Sequence, residues 1–236
     1  MKKTIKIAHL YYDLLNLYGE NGNIMALKKF IERQGIKVQV DNLSLGMDID
    51  FKKYDFYYMG SGSEENEVLA LGDLLKYRDD IGKAIEDGKM FLVTGNVMEI
   101  FGRKMERKDG DIKGLSLFGY NSKETETRNV GEIAYEFPEL EKDKGFYIVG
   151  FKNSAINIVN NDYERPFGLQ DNIRQNNFFA MNFFGPILIR NPYFTDYLLK
   201  ILFESLDLDY KEDDSTSEYV AYHEYVKNFI ETHNLD

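Results

Sequence analysis

The residues with most chemical potential lie where an apolar run meets a sharp turn. Met90-Phe91-Leu92-Val93 reads as a buried strand, Thr94-Gly95 as its turn, and Asn96 to Gly102 as the start of a short helix. This strand-turn-helix order is that of a nucleophile elbow, in which the tip residue stands exposed above the C-terminal edge of a parallel sheet and a following small residue lets the backbone fold tightly. The expected tip is Thr94. A second buried strand, Tyr54 to Met59, runs into Gly60-Ser61-Gly62-Ser63 before a helix begins near Glu64. A glycine-rich loop of this kind, together with Gly95, offers backbone N–H groups to a developing oxyanion. Every doubly wound fold also needs glycine turns at its strand ends, so the glycines alone define no site.

The chemistry available at such an elbow is limited by what the chain lacks. It has no cysteine, which removes disulfides, thiolate metal sites and thiol nucleophiles together. A threonine hydroxyl is a weak nucleophile that depends on a nearby base. The three histidines are His9, in the first strand, and His223 and His233, near the C-terminus.

The order of these pieces resembles the class I, triad-type glutamine amidotransferases, and within them the cobyric acid synthase-like branch that includes glutaminase subunits of cell-wall amidation. Leu10-Tyr11-Tyr12-Asp13-Leu14-Leu15-Asn16-Leu17-Tyr18-Gly19-Glu20-Asn21-Gly22-Asn23-Ile24 is similar to the branch's opening YPDLLNLYGDRGNI, Gly150-Phe151-Lys152-Asn153 to its GFEN, and Gly185 to Pro192 to its GPLLPKNP. The resemblance covers most of the chain. It implies that the nucleophilic cysteine of CGGYQLLG falls on Thr94 and the second glycine on Asn96. It also places the histidine of GTYLHGP on Phe184 and that of GFENH on Ser154. Each of these differences removes reactive chemistry, so the resemblance implies a glutaminase-type subunit that binds without hydrolysing. Its expected partner is an ATP-dependent, Mur-ligase-like synthetase. Its expected ligand is a glutamine-like small molecule held by Arg128, Asn153 and Asn96, with neither metal nor cofactor. Arg128 reads equally well as a strand arginine in a surface ion pair. The alternative is altered chemistry in the same pocket, with Thr94 or Ser154 as nucleophile and Glu99 or Lys152 near Ser154.

Composition bounds the partners. With 236 residues and a formal charge of −11, the chain can bury one sizeable core and is repelled by nucleic-acid backbones and anionic membrane surfaces. No apolar run approaches the roughly 18 residues that span a bilayer, and the first 15 residues carry no continuous apolar leader core, which reads as a cytoplasmic protein.

The elements that must position the elbow follow from periodicity. Ile5, Ile7 and Leu10 open a first strand. Asn23 is the expected N-cap of a helix over 24–34 ended by Gly35, and 37–40 alternates as an outer strand. A helical region over 64–86 is expected to break at Gly72. The alternation predicts an α/β fold, a flavodoxin-like, mostly parallel sheet with helices on both faces. Residues 115–120, 125–130, 133–137 and 146–151 read as antiparallel or mixed strands extending that sheet. Asparagine-rich 153–182 reads as a loop-rich rim, shortened, relative to the family, between Pro166-Phe167-Gly168 and Phe178. A helix over 195–204 follows. The whole of 1–236 is expected to form a single domain, in which 207–236 is an acidic spacer plus a C-terminal helix with an apolar stripe, Tyr222, Val226, Phe229 and Ile230.

Overall fold

A computed structural model describes residues 4–137, 147–160, 162–163 and 171–233. Pro166 to Gly168, where the shortened loop was expected, lie outside the described residues. Strand β1 (Thr4–Leu10) is followed by α1 (Asn21–Arg33), β2 (Lys37–Leu43), β3 (Phe56–Met59), α2 (Glu64–Leu74), α3 (Arg78–Glu86) and β4 (Met90–Thr94). After β5 (Lys104–Glu106), β6 (Ile112–Lys113), β7 (Asn121–Glu136) and β8 (Tyr147–Val159) come β9 (Asn172–Gln175), β10 (Phe178–Met181), α4 (Ile187–Arg190), α5 (Pro192–Ser205) and α6 (Ser217–His233).

The main sheet has the order β2-β1-β3-β4-β10-β9, and only β9, at its edge, runs antiparallel to its neighbour. Its central strands are apolar on both faces, as strands covered on both sides must be. On β3 and β4 alternate residues feed two separate cores. Tyr57, Met59, Phe91 and Val93 pack with Ala70, Leu74 and Ile85 of α2 and α3. Phe56, Tyr58, Met90 and Leu92 pack with Leu27, Leu198, Leu202 and Tyr222 of α1, α5 and α6. The stripe of α6 therefore docks on its own chain, with Tyr219, Tyr222 and Val226 buried.

Four expectations are corrected. The break over 64–86 is a 3₁₀ turn at Leu75–Tyr77, because Gly72 sits within α2 with open space around it. Residues 104–159 do not extend the main sheet: β6-β5-β7-β8 form a second, four-stranded sheet, and 115–120 is not a strand. Most of the described residues in 153–182 are strand rather than rim loop, since β8 runs to Val159 and β9 and β10 form an antiparallel pair. Asn23 lies inside α1 and is fully buried, while Glu20 takes the N-cap position.

Asn191 ties the second sheet to the helices. Its side chain accepts from the Val149 N–H at 2.7 Å and donates to the carbonyls of Val149 and Ile187, both at 2.7 Å. Asn191→Ala leaves these buried groups unpaired. It is expected to cost about 2–4 kcal/mol, read as a lower urea midpoint at unchanged m; a loss below about 0.5 kcal/mol, the size of an ordinary surface change, would refute that role.

Candidate functional site

The carboxyl ends of β1, β3, β4 and β10 converge, which is where open α/β sheets place their ligands. At their meeting point lies Glu20, fully buried. Its Oε1 accepts from Ser61 Oγ at 2.7 Å and from the Gly185 N–H at 2.9 Å. Its Oε2 accepts from Tyr58 Oη at 2.5 Å, Thr94 Oγ1 at 2.9 Å and Asn23 Nδ2 at 3.2 Å. Burial pushes the Glu20 carboxyl above its ordinary range, against the pull of the bonds from Tyr58, Ser61, Gly185 and Thr94. Proton counting agrees with that direction. Glu20 Oε2, Tyr58 Oη and Thr94 Oγ1 form a closed triangle, because Tyr58 and Thr94 are also 2.9 Å apart. The two hydroxyls supply two protons for three contacts, and a protonated Glu20 supplies the third.

This network decides what the elbow is. Thr94 is the last residue of β4, with φ −119° and ψ 147°, ordinary extended backbone, and it is fully buried. It does not stand exposed at a turn, which corrects the expected geometry. The strained position is Gly95, at φ +75°, from which the 3₁₀ segment Gly95–Phe101 leaves. A Cβ at position 95 would lie 2.4 Å from Ser61 Cβ and 3.2 Å from Phe184 Cε1. The side chain that an elbow presents would therefore point from Gly95 at Phe184, into space that Ser61 and Phe184 already fill. Phe184 itself is buried, edge-on to Tyr18 at 5.4 Å between ring centroids.

The glycine-rich loop is also closed. A Cβ on Gly60 would lie 2.5 Å from the Leu15 carbonyl oxygen, and one on Gly62 would lie 2.6 Å from Leu15 Cδ2, so the segment carrying Leu15 to Glu20 packs onto Gly60, Ser61 and Gly62. The Leu17 N–H donates to the Ser61 carbonyl at 3.0 Å.

The other expected site residues do meet, in a cleft of about 590 Å³ bordered by Asn96, Arg128, Asn153 and Ser154. Arg128 donates to Glu64 Oε1 at 3.1 Å and to the carbonyl and side-chain oxygens of Asn153 at 3.2 and 3.3 Å, so the ion-pair reading and the cleft reading hold together. Asn153 in turn donates to Tyr18 Oη. Thr94 and Phe184 do not border this cleft. Ser154 Oγ accepts from Asn182 Nδ2 at 2.9 Å and from the Ile156 N–H at 3.2 Å, Lys152 is paired with Asp171, and Glu99 is held by Arg107 and Ser122, both at 2.5 Å. No base stands beside Ser154 among these contacts.

Sequence reasoning missed Glu20, Tyr58 and Asn23 as a unit, although Glu20 and Asn23 lie in the opening motif. Their signal was an acid between two turn-forming segments, which only burial turns into a network member. His9, expected in the first strand, is the penultimate residue of β1 between β2 and β3, and burial lowers its pKa to about 4. Among the described residues no group of three His, Cys, Asp or Glu could hold a metal ion, and no helix is long and apolar enough to cross a membrane.

A doubly wound sheet with an elbow after its fourth strand is the architecture of the class I glutamine amidotransferases. A crystal structure of a glutamine amidotransferase from Thermotoga maritima shares this fold at a TM-score of 0.52, covering 97% of this chain and 92% of that one at 10% identity. Residues 6–185 match the CobB/CobQ-like glutamine amidotransferase domain, and the chain belongs to that family. It is 30% identical over 234 residues to the lipid II isoglutaminyl synthase (glutamine-hydrolyzing) subunit GatD of Staphylococcus aureus (strain N315), covering 92% of this chain and 93% of the relative. To the subunit of the same name from Streptococcus pneumoniae (strain ATCC BAA-255 / R6) it is 31% identical over 201 residues, 79% of this chain and 76% of the relative.

The Glu20 network makes a specific prediction. Glu20→Ala leaves several buried donors without an acceptor and is expected to cost about 3–5 kcal/mol, with Glu20→Gln milder. A carboxyl whose folded pKa is raised contributes stability that is complete below its unfolded value and lost as pH rises toward the folded value. Wild type loses this contribution above about pH 4.5, the ordinary glutamate value, and Glu20→Gln has none to lose. The stability gap between wild type and Glu20→Gln should therefore narrow from pH 4 to pH 8 in urea titrations; a gap that widens would show that Glu20 is buried as the anion.

Proposed function

We propose that this chain is a glutaminase-type subunit that has lost glutamine hydrolysis and acts as a binding or regulatory partner of an ATP-dependent, Mur-ligase-like amidating synthetase, in the cytoplasm, in cell-wall or cofactor amidation. The single observation that carries the loss of hydrolysis is the emptied elbow. Its strained residue, Gly95, has no side chain, and the space before it is filled by Ser61 and by Phe184, the residue at the family's histidine position. Thioester formation requires a thiolate and an adjacent base, and the sequence has no cysteine. The synthetase side of the reading is supported by family membership and by the two relatives, each named as a subunit of a larger lipid II synthase.

Altered chemistry at Thr94 or Ser154 finds less support. Thr94 Oγ1 lies 2.9 Å from a carboxyl oxygen of Glu20, a nucleophile-to-base distance, yet both residues are fully buried and neither borders the cleft. Ser154 borders the cleft but has no base.

Ammonia release from glutamine should equal the protein-free blank for wild type, Thr94→Cys and Gly95→Cys. A thiol at position 95 faces Phe184 rather than a base, one at position 94 is buried beside the Glu20 carboxyl and away from the cleft, and parts of one catalytic unit do not act alone. Turnover by the wild type that disappears in Thr94→Ala would sink the reading. The partner is tested by co-purification from the native cell at low salt, because an acidic chain held partly by exposed charges should release its partner as salt shortens the screening length to about 8 Å and below. Recovery as a free monomer at every salt concentration would count against a synthetase partner.

A further inference from the structure

We propose that Glu67 and Glu99 share one proton, and that this acid–carboxylate pair is a latch: it joins α2 to the 3₁₀ segment Gly95–Phe101 while Glu67 is protonated and lets the two part when the proton leaves. The latch lies behind the cleft and controls how its wall is held. It stands on the packing of the chain, whatever ligand or partner the cleft takes.

The two carboxyls come from different elements and both are buried, Glu67 at 1% exposed and Glu99 at 0%. Glu99 is fully committed: its Oε1 accepts from Arg107 Nη2 and its Oε2 from Ser122 Oγ, both at 2.5 Å. Glu67 has the opposite surroundings. Among the described residues no nitrogen or hydroxyl donates to either of its oxygens, and the hydrogen bond it makes is to the Glu99 side chain. Ionised carboxylates only accept, so that bond exists only if one of the two carries a proton. The proton belongs to Glu67, because a guanidinium holds Glu99 as the anion.

The charges around the pair leave no substitute for that proton. Facing Glu67 are Glu99, Arg107 and, from its own helix, Glu64. Arg107 also feels Glu124 of β7, and the Tyr120 hydroxyl, which feels the Glu99 charge, is spent on the Met98 carbonyl. Arg107 Nη1 is buried without a partner, so in this arrangement it does not reach Glu67. Burial, reinforced by the Glu99 charge, pushes the Glu67 carboxyl well above its usual range. Ionised, Glu67 would press a second buried anion against Glu99. It must then turn away, to water or to Arg107 Nη1, and either move breaks its contact with the 3₁₀ segment. Both elements border the cleft, α2 through Glu64 and the 3₁₀ segment through Asn96 and Glu99, so parting them changes the cleft itself.

A carboxyl whose pKa is raised in the closed form holds the latch fully below about pH 4.5, the ordinary glutamate value, and gives way as pH rises toward the closed-form value. Hydrogen exchange of the intact chain, followed from pH 5 to pH 8 and corrected for the chemical exchange rate, tests this without glutamine or a partner, and so independently of the subunit reading. In wild type, opening of 64–74 and 95–101 should become up to about tenfold more frequent per pH unit, the slope of one proton held by the closed form. Glu67→Gln keeps the side chain's shape and donates permanently from its amide; it should lose that slope and be the better protected of the two at pH 8. Glu67→Ala should lose the slope too, and at pH 5 open about tenfold more often than wild type, the loss of one hydrogen bond to a charged group. No slope in wild type, the same slope in Glu67→Gln, or a Glu67→Ala chain as well protected as wild type at pH 5 would overturn the proposal.

Discussion

A carboxyl group buried with no cation in contact is costly, and Glu20 survives in the interior only because four separate segments bring it hydrogen-bond donors. Tyr58 and Ser61 come from the end of β3, Thr94 from the end of β4, Gly185 from the turn before α4, and Asn23 from the first turn of α1. Each donor fixes its own segment, because a displaced one would leave both itself and Glu20 unpaired. Asn23 extends the arrangement: its Nδ2 reaches Tyr58 Oη at 2.7 Å and the Gly185 carbonyl at 3.1 Å, and its Oδ1 receives the Leu188 N–H at 2.9 Å. The register of the sheet's carboxyl edge therefore depends on a polar network as much as on the apolar cores beneath it.

The same network accounts for the chemistry of the elbow. Thr94 spends its hydroxyl inside the triangle with Tyr58 and Glu20, and so belongs to the scaffold. The backbone still makes the tight left-handed turn that displays a nucleophile, but makes it at Gly95, where there is nothing to display. Geometry and reactivity have come apart here. The turn is preserved by the packing of Ser61 and Phe184 around it, and those two side chains occupy the volume that a reactive group and its base would need.

Beside this closed centre, the second sheet and the 3₁₀ segment enclose an open, charged cleft. The long β7–β8 hairpin brings Glu124, Arg128, Asn153 and Ser154 across from Asn96 and Glu99. Its far end is anchored by Asn191, so the cleft wall is held from both sides. The cleft is thus separate from the closed elbow, an arrangement that supports the proposed reading of a subunit that binds rather than turns over substrate.

Much of this was determined by the sequence alone. Apolar runs such as Phe56 to Met59 and Met90 to Val93 can only be strands covered on both faces, and their alternation with amphipathic helices dictates a doubly wound sheet. The opening motif and the absence of cysteine bounded the family and its chemistry. Tertiary structure decided the rest, because it depends on contacts between residues far apart in the chain. Local pattern placed the elbow residue at Thr94, whereas Glu20, 74 positions away, draws that hydroxyl inward and leaves the strained turn to Gly95. Local pattern likewise made the strands expected between 115 and 151 an extension of the main sheet, since strand propensity carries no information about which edge a strand will pair with. Glu67, Glu99 and Arg107 lie on separate segments of the sequence; only burial next to one another makes them a cluster.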